Sequence, residues 1–156
     1  MAPADLLWPL EGQREETLRL IDGLTDEQLE LLADDGRSVR QLLYHLISRE
    51  NGVNFAIAAA LEGEVLRLSS KGRDELSRAE YEPAPDWDLA RIRRELVEAR
   101  DGLRRTFQSM SDEDLDRQIR WPEWPARTIR SSIPYMLEHE DSHLDQLRRV
   151  LEHQEA

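Results

Sequence analysis

The chain has 156 residues, 33 of them acidic and 21 basic, for a formal net charge of -12. So anionic a surface repels phosphate backbones and acidic lipid, which argues against nucleic-acid and membrane partners. The absence of cysteine excludes disulfides, zinc ribbons, iron–sulfur clusters and a thiol nucleophile supplied by the chain itself.

The length fits one domain, spanning 1–156. Leu, Ala, Glu and Arg dominate and β-branched residues are sparse, so an all-α fold is expected. Met1 to Glu11 carries no basic region and only a short apolar run, Leu6-Leu7-Trp8. No later run is long enough to span a bilayer, so the chain reads as cytoplasmic, with neither signal peptide nor membrane span.

Apolar residues then recur at helical spacing in four stretches. Leu7, Leu10, Leu18, Ile21 and Leu24 mark the first helix. Thr25 with Gln28 forms a capping box before a short helical turn, and Ser38 with Gln41 forms one before the second helix. That helix carries Val39, Leu42, Leu43, Leu46, Ile47, Val53, Ile57 and Leu61. A polar linker from Glu62 to Pro85 follows, and Asp86 is the expected cap of the third helix, marked by Leu89, Ile92, Leu96, Leu103, Phe107 and Met110. Trp121-Pro122-Glu123-Trp124-Pro125 interrupts the helical pattern and is expected to plug one end of the core. Thr128 is the expected cap of the fourth helix, which carries Ile129, Ile133, Met136, Leu137, Leu144, Leu147, Val150 and Leu151.

The chain repeats itself. Leu24-Thr25-Asp26-Glu27-Gln28-Leu29 is echoed by Met110-Ser111-Asp112-Glu113-Asp114-Leu115, and Arg37-Ser38-Val39-Arg40 by Arg127-Thr128-Ile129-Arg130. The offset is 86 residues at the first pair and 90 at the second, so four residues were gained near the Trp-Pro stretch. Two pseudo-symmetric helical hairpins, 5–62 and 86–155, packed as a four-helix bundle are the natural reading.

Four charged residues lie near the centres of the apolar stripes: Arg14, Glu50, Arg100 and Glu140. The repeat maps Arg14 onto Arg100 and Glu50 onto Glu140, and all four fall at mid-bundle depth. Unpaired charges there are costly, so they are expected to pair as Arg14–Glu50 and Arg100–Glu140, or crosswise. They either fix register as structural ion pairs, or one glutamate orients a ligand or carries a proton beside a metal site.

His139 and His143, four residues apart, project from one face of the fourth helix, while His45 lies on the flank of the second. His153 reads as a solvated residue of the last turn. Three neutral imidazoles from two helices can hold a divalent metal and leave positions open. A His-x-x-x-His pair is a weak signal alone, and histidines that are merely satisfied polar groups remain the alternative. Depth along the helices offers a check. His45 lies about 10 Å into its helix, and the pair about 17 and 23 Å into theirs. The levels agree better if the two helices run antiparallel, which favours up-down-down-up over up-down-up-down.

Two segments resemble the DinB/YfiT-like metalloproteins. Asp35-Gly36-Arg37-Ser38-Val39-Arg40-Gln41-Leu42-Leu43-Tyr44-His45-Leu46 is similar to that family's Gly-Trp-Ser-Val-Arg…His-Leu segment. Leu137-Glu138-His139-Glu140-Asp141-Ser142-His143-Leu144-Asp145-Gln146-Leu147 is similar to its His-x-x-x-His segment. The resemblance implies an up-down-down-up bundle, a homodimer, and a divalent metal (nickel, zinc or iron) on His45, His139 and His143. It also implies a small-molecule substrate, such as a low-molecular-weight thiol in S-transfer. Arg37 stands where the family usually has tryptophan, which alters the expected pocket wall but not the ligands.

Three functions stay open at this stage. One is a metal-dependent enzyme, either a thiol S-transferase using a cosubstrate thiol or a hydrolase using water. Another is a non-enzymatic bundle that sequesters a small molecule or metal. The third is a purely structural bundle. No phosphate-binding glycine loop or serine nucleophile elbow is present. Val53 occupies the repeat position of His143, so a symmetric di-iron site is set aside.

Overall fold

In the computed structural model, residues 1–63, 83–119 and 127–155 are described. The interior of the linker and the Trp-Pro stretch expected to plug the core lie outside them. A 3-10 turn, Pro3–Leu7, leads into α1 (Trp8–Leu20). The short α2 (Asp26–Leu29) precedes the long α3 (Val39–Leu61), and α4 (Leu89–Gln108) and α5 (Ile129–Glu155) complete the bundle. A two-residue ribbon, β1 (Gln118–Ile119) antiparallel to β2 (Arg127–Thr128), ties the end of the second hairpin's loop to the start of α5.

The caps show how local chemistry sets these boundaries. Thr25 and Gln28 form the full reciprocal box. Ser38 Oγ accepts from Gln41 N–H at 3.0 Å, but the Gln41 carboxamide oxygen is turned to Ala84 N–H, clamping the end of the linker onto α3. Thr128 caps α5 by a reciprocal pair with Ser131. The expected cap Asp86 is corrected to Asp88, whose carboxylate accepts from Arg91 N–H at 2.8 Å. The cause is the preceding turn: Trp87 N–H is bound to Pro85 C=O, so the helix cannot begin until two residues later.

Helix direction follows from who shares a core. One apolar cluster joins Leu7 of the 3-10 turn and Leu10 of α1, Val53 and Ile57 of α3, Leu103 and Phe107 of α4, and Ile129 and Ile133 of α5. The other joins Ile21, then Leu42 and Leu43, then Ile92 and Leu96, then Leu147. The start of α1 and of α5 thus lies with the end of α3 and of α4, and the bundle runs up-down-down-up. Among the described residues no helix is long and apolar enough to cross a membrane.

Between the two apolar clusters lies a buried layer of charge. Arg14, Glu50, Arg100 and Glu140 are 3–7% exposed. They form one network rather than two separate pairs. Arg14 reaches Glu50 at 3.2 Å and Glu140 at 2.9 Å; Arg100 reaches Glu50 at 2.7 Å and Glu140 at 3.5 Å. The remaining guanidinium donors obey the repeat: Arg14 donates to Leu96 C=O at 2.7 Å and Arg100 to Leu10 C=O at 2.5 Å. Burial alone opposes the charge on Arg14. Attraction from Glu50 and Glu140, with their hydrogen bonds, outweighs it and leaves the pKa above its ordinary value.

Candidate metal centre

One turn nearer the second apolar cluster, α3 and α5 bring His45, His139 and His143 together. His45 sits on the buried side of α3, facing α5, and is 7% exposed; His143 is 6% exposed and His139 is partly exposed. The ligand-capable nitrogens of the three lie within 4.8 Å of one another. His45 Nε2 is 3.1 Å from His139 Nε2, and His143 Nε2 is 3.2 Å from the same atom. His153, by contrast, is exposed on the final turn.

Protons alone satisfy this cluster poorly. A single Nε2–H on His139 can point well at only one of its two neighbours, and a lone pair there faces a lone pair on the other side unless both carry protons. Bonds of about 2.0–2.1 Å to a common cation at tetrahedral or octahedral angles separate ligand nitrogens by about 2.8–3.4 Å. The spacings of His45 and of His143 from His139, 3.1 and 3.2 Å, fall in that range. The imidazoles are also in the right charge state. Burial first, then the charge that His143, Arg37 and Arg49 place nearby, pushes His45 down to about 3. Burial and the neighbouring imidazoles push His139 down to about 3 as well. Burial likewise lowers His143, partly opposed by its bond to Gln146.

Several residues of the site were not picked out by sequence reasoning. His143 Nδ1 is 2.6 Å from Gln146 Oε1, and Gln146 Nε2 donates to Asp34 at 3.1 Å and Asp35 at 3.0 Å. The two aspartates lie in the turn between α2 and α3. Ala33 N–H bonds to Arg37 C=O and Gly36 N–H to Ala33 C=O, and Gly36 takes φ +86°, a conformation that favours glycine. Arg37 folds back onto Asp35 at 2.7 Å. That contact, with further hydrogen bonds from Arg37 N–H and Gln146, holds the Asp35 carboxyl well below the usual carboxylate range.

On the other side of the cluster, Arg49 Nη2 donates to Tyr135 Oη at 2.9 Å, and the Tyr135 ring lies parallel to His139 with centroids 6.1 Å apart. A cavity of about 20 Å³, room for about one water, lies between His139 and the charge layer and touches Arg49, Glu50, Tyr135 and Glu140.

Three comparisons bear on this chain. The family model of the DinB superfamily matches residues 10–147. The protein YuaE of Bacillus subtilis (strain 168), itself described as uncharacterized, is 26% identical over 150 residues, covering 89% of this chain and 93% of its own. A solved structure of Bacillus subtilis YfiT, described as a probable metal-dependent hydrolase with an unusual four-helix bundle topology, superposes with a TM-score of 0.69 at 20% identity. That match covers 93% of this chain and 85% of YfiT. The family match spans nearly all of the bundle, including both histidine-bearing helices, and the chain belongs to the DinB superfamily.

Proposed function

We propose that this chain is a metal-dependent hydrolase whose divalent cation is held by the Nε2 atoms of His45, His139 and His143. The observation that carries the reading is the convergence of three neutral imidazole nitrogens at 3.1 and 3.2 Å spacing. The description of YfiT as a probable metal-dependent hydrolase supports it. A divalent cation there supplies Lewis acidity, lowering the pKa of a water, or of a thiol brought by a cosubstrate, toward neutrality.

The chain's own residues supply the frame. Gln146 holds the His143 ring by its far nitrogen. The charge layer pins α3 and α5 at one height, which keeps His45 level with the histidine pair of α5. Glu50 and Glu140 act in that layer: both carboxylates accept from arginine, so neither is assigned as general base. The small cavity beside His139 has room for about one water. The description of YfiT ranks hydrolysis before S-transfer.

The test is zinc titration of the metal-stripped protein, followed by parallel assays on a panel of activated esters and amides and on thiol plus electrophile. One zinc per chain and metal-dependent ester or amide cleavage are expected. Conjugation without hydrolysis would move the assignment to S-transfer. Stoichiometric zinc with neither activity would leave a sequestering protein, and no zinc at all would make the cluster structural.

A further inference from the structure

Neutral histidine offers a metal one nitrogen and keeps a proton on the other, so a site works only if the correct tautomer is present. For His143 the choice is decided far from the ring. Carboxylates accept and do not donate when ionised, so the Gln146 nitrogen must be the atom facing Asp34 and Asp35, at 3.1 and 3.0 Å. The amide oxygen then faces His143 Nδ1 at 2.6 Å, and an oxygen with no hydrogen can only accept. Nδ1 must therefore carry the proton, and the lone pair falls on Nε2, the atom that faces His139.

We propose that Gln146, oriented by Asp34 and Asp35, is a positioning residue that fixes the tautomer and ring angle of His143 for metal binding. Its purpose rests on the metal-dependent reading above, but its geometry does not. The chain of contacts begins in the first hairpin. Arg37 grips Asp35 through Nε at 2.9 Å, Nη2 at 2.7 Å and its backbone N–H at 3.0 Å. Arg149, on the far turn of α5, reaches Asp34 at 3.4 Å. The turn between α2 and α3 is thus a bracket for an amide on α5. Arg37 is the clamp of that bracket. Among the described residues His45 lacks an equivalent: its Nδ1 is buried without a hydrogen-bond partner.

Long-range proton–nitrogen spectra of the metal-free protein read the tautomer directly, and competition with a chromophoric chelator reads zinc affinity. In the wild type, His143 is expected as the Nδ1–H form. Gln146→Met keeps the side chain's length but removes the acceptor. It should give a mixture of tautomers and weaken zinc about 10- to 100-fold, with an unchanged helical spectrum. Replacing both acceptors, Asp34→Ala with Asp35→Ala, frees the amide to turn and should also mix the tautomers, with a smaller loss of affinity. A wild-type His143 carrying its proton on Nε2 overturns the proposal. So does a Gln146→Met protein that keeps both the pure Nδ1–H form and wild-type affinity. Should Gln146→Met fail to fold, the tautomer in the Asp34→Ala, Asp35→Ala double variant decides: mixed supports the bracket, unchanged rejects it. A wild type that binds no zinc sinks the metal reading while the tautomer still reports on Gln146.

Discussion

Two crossings between α3 and α5 occupy equivalent places in the two halves of the repeat, yet carry different chemistry. The 90-residue offset maps His45 onto Tyr135 and Arg49 onto His139. On one side His45 faces His139 at 3.1 Å; on the other Arg49 bonds Tyr135 at 2.9 Å. The third ligand, His143, maps onto Val53, and Gln146 onto Ala56. Midway between the crossings, the charge layer keeps the symmetry, down to the paired bonds from Arg14 and Arg100 to opposite backbones. What both halves need in order to pack has been retained in duplicate. The candidate site lies where the halves have diverged, and only one crossing has the third imidazole and an amide behind it.

The largest difference between the crossings should appear on truncating that third imidazole. His143→Ala should stay folded, because alanine favours helix and the ring lies at the side of the apolar stripe. It should lose stoichiometric metal and any hydrolytic activity, since two imidazoles from one helix cannot be replaced by one. Circular dichroism, metal content and ester cleavage on one preparation decide it. A folded, metal-free and fully active variant would end the metalloenzyme reading.

The charge layer gives the next effect, and it tests how closely the symmetry holds in energy. Glu50→Ala strands two buried arginines and should destabilise by about 3–5 kcal/mol. Glu140→Ala should cost less, because Glu50 takes close bonds from both arginines, whereas Arg100 only approaches Glu140, at 3.5 Å. Urea unfolding of the two variants side by side measures the gap. Equal losses would mean the layer is more symmetric in energy than in distance.

The contrast between symmetric and divergent parts also explains what could be read from the residues alone. Arg14, Glu50, Arg100 and Glu140 were legible because charge at the centre of an apolar stripe breaks a strong pattern, twice and at equal depth. His139 and His143 were legible as a one-turn pair, and helix direction followed from matching their depth to His45. Gln146 and Asp35 were not, because they lie 111 residues apart and a glutamine on a polar helix flank carries no pattern. The i,i+3 step from His143 to Gln146 is the one available hint. Arg49 was hidden for a similar reason: an arginine one turn beyond His45 looks like solvated surface until the partner helix supplies Tyr135. Asp86 against Asp88 was a choice between two good caps, settled by a preceding turn that periodicity does not reveal.

Acid should weaken the histidine crossing. His45 and His139 are held at about 3 in the folded protein, against about 6.5 when unfolded. Between these values the unfolded chain binds protons that the folded chain refuses. The stabilisation is therefore complete above pH 6.5 and falls as the pH drops from 6.5 toward 3. Two such groups give at most about 2.7 kcal/mol per pH unit, and less in practice because His139 is partly exposed. Urea midpoints of the metal-free protein at pH 7.5, 6 and 5 should fall steadily below 6.5 and be flat above it. A flat profile throughout would mean the imidazoles are solvated in the folded state.

The smallest effect concerns the Arg49–Tyr135 crossing itself. Tyr135→Phe removes the hydroxyl that accepts from Arg49 at 2.9 Å but keeps the ring that lies parallel to His139 at 6.1 Å. The lost bond should cost about 1 kcal/mol, the net worth of one hydrogen bond made inside a protein instead of to water. Zinc affinity should stay within about twofold, because the ring that steadies His139 is unchanged and the hydroxyl holds no metal in this reading. The alternative is specific. If the tyrosine oxygen were a fourth ligand, or if Arg49 reached His139 through it, the same substitution would weaken zinc at least tenfold with little change in stability. Zinc competition and urea unfolding on the single variant separate the cases. A stability change without a zinc change assigns the Tyr135 crossing to packing and leaves metal chemistry to its histidine counterpart.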